Sequence, residues 1–159
     1  MKRLILLIFT LTLILSSCAT VAKDPLSYQN GALSAEVVFE RNGVRISAVI
    51  RLGRMSGELR DAEIRFSSPE GLHVVRKNGE CYAELGGVSI SPDPRLFLLC
   101  DLFSLEGSIV SVKTGRKVSE ITLSVGQELY TVCFNSDDKP IKISGEGFKL
   151  DIIWIEIEK

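Results

Sequence analysis

Residues 33–52 read LSAEVVFERNGVRISAVIRL, and this stretch decides the fold class. At its centre stands Asn42-Gly43. Both residue types tolerate positive φ, so they close a two-residue hairpin whose twist matches that of the flanking strands. On the far side Val44, Ile46, Ala48, Ile50 and Leu52 alternate with Arg45, Ser47, Val49 and Arg51. A period of two predicts a half-buried strand. On the near side Leu33–Glu40 is rich in β-formers and predicts its partner.

The same pattern continues outward. Ala62, Ile64 and Phe66 alternate with Asp61, Glu63 and Arg65, and Ser67–Gly71 is a loop. Leu72–Lys77 and Glu80–Leu85 flank a second Asn-Gly at 78–79, which predicts a second hairpin ending at Gly86-Gly87. Further strands are expected at Ser108–Lys113, Lys117–Val125, Leu129–Asn135 and Phe148–Ile157, with Lys139–Ser144 as a short addition. Thr114-Gly115, Gly126-Gln127 and Ser136–Asp138 supply the turns. In the last strand Phe148, Leu150, Ile152 and Trp154 fall on one face, and Ile153, Ile155 and Ile157 on the other. Apolar residues on both faces predict a central strand covered on both sides.

One helix interrupts this series. Asp93-Pro94 opens it, with Asp able to cap free N–H groups and Pro tolerated at the first helical position. Leu96, Leu99, Cys100 and Phe103 recur at i, i+3, i+4 and i+7, while Phe97, Leu98, Leu102 and Leu105 widen the apolar surface. Such a helix is buried against a sheet, and Gly107 is placed to end it. The expected fold is mainly β (α+β): a curved antiparallel sheet or half-barrel of about eight to ten strands, with one apolar helix packed on its concave side.

The chain has 159 residues, enough for one domain, which the pattern places at 32–159. It carries 19 Lys+Arg against 20 Asp+Glu, so no basic footprint points to nucleic acid. Its mean hydropathy of +0.21 is high for a globular domain, and much of the excess sits at the start. Met1-Lys2-Arg3 precedes LILLIFTLTLIL at Leu4–Leu15, too short for a permanent span and suited to the apolar region of a signal peptide. Leu15-Ser16-Ser17-Cys18 then resembles the lipobox of bacterial lipoproteins. That resemblance implies cleavage after residue 17, a diacylglycerol on the Cys18 thiol and acylation (palmitate, for example) at its amino group. Two or three buried chains anchor a protein essentially permanently, where one anchors it only marginally. Residues 1–17 are thus the expected signal peptide and 18–31 the lipidated N-terminus and tether, with a short helical turn around Leu26–Gln29. Loss of Lys2 and Arg3 makes the formal charge of −1 more negative by two.

Catalytic and metal signatures are lacking. The lone His73 lies in an expected strand, without a G-x-S-x-G elbow, and reads as a surface or structural residue. Cys81, Cys100 and Cys133 form no C-x-x-C pair and read as free thiols acting as small hydrophobes, with a single Cys81–Cys133 disulfide as the alternative. No phosphate-binding loop occurs, since Gly86-Gly87 lacks the helix and Lys that such a loop leads into. The chain is expected to be no enzyme and to carry no cofactor or metal.

RDAEIRFSSPEGL (Arg60–Leu72), the helix-bearing insertion and YTVCFNSDDKPIKI (Tyr130–Ile143) resemble the Lol-type lipoprotein carriers and receptors. The same stretches are similar to uncharacterised small lipoproteins of Firmicutes. The Lol resemblance implies an incomplete antiparallel barrel with helices plugging its concave side. The chain departs from it at residues 19–31, which are too short and broken for the helix that usually precedes the first strand.

Two functions are expected. The first is a lipid-anchored, extracytoplasmic domain that binds a lipid or other hydrophobic ligand, with Leu96, Leu99, Phe103 and Trp154 lining the cavity. The second is a structural or assembly lipoprotein of the cell envelope, acting through protein–protein contacts.

Overall fold

The computed structural model describes residue 24 and residues 26–54, 60–67, 70–115 and 119–158. The expected signal peptide at 1–17, with Leu15, Ser16 and Ser17, and the expected lipidation site Cys18 lie outside the described residues.

Among the described residues eleven strands form one antiparallel sheet: β1 (Ala32–Arg41), β2 (Val44–Leu52), β3 (Ala62–Phe66), β4 (Leu72–Lys77), β5 (Glu80–Leu85), β6 (Val88–Ile90), β7 (Ser108–Thr114), β8 (Ser119–Val125), β9 (Glu128–Phe134), β10 (Pro140–Gly145) and β11 (Phe148–Glu158). Their order is β6-β5-β4-β3-β2-β1-β11-β10-β9-β8-β7. Every neighbour but β11 beside β1 is consecutive in sequence, so the chain meanders, and its first and last strands pair at the middle of the sheet. β6 and β7 are consecutive in sequence yet occupy the two opposite edges. The segment between them carries the helical insertion.

Both Asn-Gly turns form as the sequence predicts. Asn42 and Gly43 have φ of 51° and 77°, and Arg41 faces Val44 across the turn. Asn78 and Gly79 repeat this at 52° and 82°, where Lys77 faces Glu80. The strand count exceeds the expected eight to ten because Gly86-Gly87 does more than end β5. It turns the chain into β6, whose three residues are too few to show a period.

The helix differs from expectation. Asp93 caps it as predicted, accepting the Arg95 backbone N–H at 2.9 Å. The insertion then runs through a 3-10 turn at Pro94–Phe97, one α-helical turn at Leu98–Asp101 and a second 3-10 turn at Leu102–Ser104. Side chains advance about 120° per residue in a 3-10 turn instead of about 100° in an α-helix. A stripe drawn at i, i+3, i+4 and i+7 therefore does not stay on one face. Phe97, Leu99, Cys100, Leu102, Phe103 and Leu105 all join the core formed by Val37, Ile50, Ile64, Val74, Ile121, Val132, Ile143 and Leu150 of the sheet.

The pattern in β11 has a different cause from the one the sequence suggests. Val37 pairs with Ile152, but Glu36 pairs with Trp154, leaving Ile153 as the extra residue of a β-bulge. The bulge reverses the alternation. Leu150 and Ile152 face the core before it, and Ile155 (opposite Ala35) and Ile157 (opposite Leu33) after it. The apparent two-faced strand is one apolar face written in two phases. Ile153 and Trp154 point away from the core, 59% and 42% exposed.

Among the described residues Cys81, Cys100 and Cys133 are free. Cys100 is buried in the insertion, and Cys81 packs against the core from β5. Cys133 faces outward in β9, between Glu120 and Lys142 of the neighbouring strands. Six strands separate β5 from β9, so the alternative Cys81–Cys133 bridge does not form in this structure.

Candidate functional site

Two arginines fasten the insertion to the sheet, and no local sequence pattern marks either. Arg60 is only 2% exposed. Its Nε donates to the Gly53 carbonyl at 2.9 Å, its Nη1 to Ser104 Oγ at 3.3 Å, and its Nη2 to the Gly31 carbonyl. One side chain thus joins the segment before β1, the end of β2 and the end of the insertion. Arg76, on the core side of β4, donates from Nε to the Arg60 carbonyl at 3.0 Å and from Nη2 to Asp101 at 3.2 Å. Its guanidinium also lies 5.0 Å from the centre of the Phe97 ring. Arginine suits this position because its planar fork serves several acceptors at once.

The segment before β1 completes the seal. Ser27–Asn30 forms a 3-10 turn, the helical turn expected there. Tyr28 is buried and meets the Phe134 ring edge-on at 5.9 Å. Gln29 Nε2 donates to the Leu105 carbonyl at 3.2 Å. Residues 26–31, grouped with the tether on sequence, therefore pack onto the domain. Burial pushes the Tyr28 phenol and the Cys100 thiol each up to about 12.

On its other side the insertion does not close against the sheet. A groove of about 290 Å³ opens there. Its apolar wall is Leu98, Leu102 and Leu105 from the insertion, facing Phe39, Tyr130 and Phe148 from β1, β9 and β11. The Phe39 and Phe148 rings stack at 5.8 Å and 29°, and Tyr130 tilts against Phe148 at 6.0 Å and 54°. Around the mouth stand Arg41, Asp101, Glu128 and Glu146. The Tyr130 hydroxyl donates to Glu128, and that bond holds the phenol above its ordinary value. Small-molecule sites are concave, mostly apolar and carry a few placed polar groups. The groove meets that description at the small end of the usual ~300–1,000 Å³ range.

The four residues expected to line a cavity lie elsewhere. Leu99 and Phe103 are buried in the core and Leu96 is partly buried against it. Trp154 stands on the opposite face, its Nε1 donating to Glu36 Oε2 at 3.0 Å. None of the four is in the wall of this groove. Leu98, Leu102 and Leu105 are recognisably apolar in the sequence, but their partners Phe39, Tyr130 and Phe148 come from three separate strands.

A second depression, of about 310 Å³, lies at the ends of β1 to β4 beside Gly53 and Asp61. Several of its charged groups are already engaged: Arg76 with Asp101, Arg51 with Glu63 at 3.7 Å, and Asp61 with the Asn78 N–H. His73 lies nearby on the outer face, 3.0 Å from Glu63, which also accepts from Arg65. This is a surface ion network with no nucleophile in it. Among the described residues no group of three or more His, Cys, Asp or Glu is placed to hold a metal. None of their helices is long and apolar enough to cross a membrane.

No protein family and no curated protein matches the chain. Solved structures do. A chain of the MucA/MucB complex from Pseudomonas aeruginosa is similar at 16% identity and a TM-score of 0.51, with 84% of this chain and 54% of that one covered. A crystal structure of MucB is similar at 15% identity and a TM-score of 0.52, with 89% and 60% covered. A putative outer membrane lipoprotein-sorting protein domain from Vibrio parahaemolyticus reaches 9% identity and a TM-score of 0.42, covering 87% and 91%, a likeness too slight to carry inference. The likeness to MucB is one of fold, and this chain spans little more than half the length of the MucB chains.

Proposed function

We propose that the protein is a membrane-anchored extracytoplasmic lipoprotein that holds a hydrophobic ligand and catalyses no reaction. The open apolar groove between insertion and sheet carries this reading. An open sheet beyond about ten strands curls. In this reading the sheet is a half-barrel, the insertion sits on its concave side, and the ligand lies in the gap that the insertion leaves. The small volume suits a single short chain. The anchor is a lipid on Cys18, supported by the order of basic start, apolar run, Leu15-Ser16-Ser17 and Cys.

Mass spectrometry of the full-length chain extracted from membranes under native conditions tests the ligand. A bound lipid is expected, lost on Leu98→Glu, a change at an exposed wall position. Absence of any ligand from the wild type overturns the binding function. Cys18→Ala should abolish lipid incorporation and leave uncleaved precursor, and normal processing of that variant overturns the anchor.

A second reading, docking to an envelope protein, is favoured by the edge strand β7. Ile109, Val110 and Val112 are exposed there beside an unpaired backbone edge. An apolar strand edge is a template for an added strand. The MucB structures include one in complex with MucA(peri). Tight binding of a protein with the groove empty would favour this second reading.

A further inference from the structure

We infer that the groove selects an amphiphile whose head is an alkylammonium cation and disfavours a carboxylate head. The inference rests on the proposed binding function and names the ligand class of the same site. Two independent features meet in the groove. The first is the trio of Phe39, Phe148 and Tyr130 rings, stacked or tilted at 5.8 and 6.0 Å and only partly buried. Aromatic faces carry negative potential, and grouped rings bind ammonium groups, quaternary ones included. The second is charge. Asp101 is engaged with Arg76. That leaves two carboxylates, Glu128 and Glu146, against one guanidinium, Arg41.

Glu128 is also held in place. It accepts the hydroxyl of Tyr130, one of the three rings, so a carboxylate is fixed at the hydroxyl edge of an aromatic ring. A cation on that ring gains both the ring face and the carboxylate. A carboxylate head in the same place meets both as repulsion. The leucines facing the rings take the alkyl chain, and the head lies by the carboxylates at the mouth.

Titration of the full-length protein in dodecyl maltoside micelles tests this. The probes are hexyltrimethylammonium, hexanoate and tetramethylammonium, monitored by calorimetry and by the Phe and Tyr ring resonances. Hexyltrimethylammonium should bind roughly three- to tenfold more tightly than hexanoate. It should also bind more tightly than tetramethylammonium, which separates an amphiphile from a free amine. The double variant Glu128→Gln/Glu146→Gln should lose most of the preference while still binding hexanoate. Phe148→Leu should weaken the ammonium probe and spare hexanoate, with unchanged thermal unfolding showing that both variants fold. Equal or tighter binding of hexanoate, or a preference that survives the double variant, overturns the inference and leaves the groove function standing. Tetramethylammonium binding as tightly as the hexyl probe removes the amphiphile from the claim and so overturns it. Binding of neither hexyl probe overturns both readings.

Discussion

Neighbouring apolar residues of the helical insertion meet unequal fates. Phe97, Leu99, Cys100 and Phe103 are sealed against the sheet, with Arg60 and Arg76 drawing the backbone and Asp101 into place around them. Leu98, at 53% exposure, stands open at the groove, while Leu102 and Leu105 reach its wall from within the core. Apolar character alone does not separate core from binding surface. The difference lies in which side the polar fasteners close.

The widest break in that comparison comes from truncation. Phe103→Ala should destabilise by about 3–5 kcal/mol in denaturant unfolding, because it leaves a cavity in a packed core. Leu98→Ala should stay within about 0.5 kcal/mol, since its side chain is already in solvent. Equal costs would mean that the groove is closed in solution.

Removing a fastener comes next. Arg60→Met keeps much of the buried stem and leaves the carbonyls of Gly31 and Gly53 without their donor. The expected loss is about 1–3 kcal/mol, together with faster hydrogen exchange in the insertion than in β1. Uniform exchange would show that Arg60 does not tie the insertion in particular.

A smaller effect is written in pH. In the unfolded chain Cys100 and Tyr28 ionise at their ordinary 9.0 and 10.0, whereas both stay protonated to about 12 when folded. The unfolded state then binds fewer protons, so stability is fully present below about pH 9 and falls as pH rises towards 12. Tyr28→Phe also removes a buried hydroxyl that has no hydrogen-bond partner. It should flatten the decline above pH 10 and cost little at neutral pH. A decline unchanged in this variant would assign the effect to other groups.

The least effect is expected on the outer face. Deleting Ile153 should be tolerated within about 1 kcal/mol, a typical single-site change. Val37 would still face Ile152 and Glu36 would still face Trp154, with the bulge removed. Loss of folding would show that the bulge has a structural role beyond its register.

Local signals are legible in the sequence. Asn42-Gly43 and Asn78-Gly79 announce their turns because positive φ is cheap for those residues, whatever surrounds them. Asp93-Pro94 announces the start of the insertion because a cap acts within two or three residues. The strand periods of β2 and β3 locate the core face. The groove is not legible. The residues Leu96, Leu99, Cys100, Phe103 and Leu98, Leu102, Leu105 are equally apolar, and nothing within the segment marks that Leu98 alone among them stays exposed. Arg60 gives no warning either, because its partners Gly31, Gly53 and Ser104 lie at three separate places in the chain.

Residue order alone is enough to specify hairpins, turns, the capped insertion and a β-rich domain, because each depends on backbone preferences and on neighbours a few positions away. Three features needed the folded chain: the phase of β11, the burial of two arginines and the open side of the insertion. In each case the deciding partner is remote in sequence. The β1 ladder sets the bulge that turns Trp154 outward. Acceptors from three elements make a buried guanidinium tolerable. Rings from β1, β9 and β11 make a groove of what would otherwise be more core.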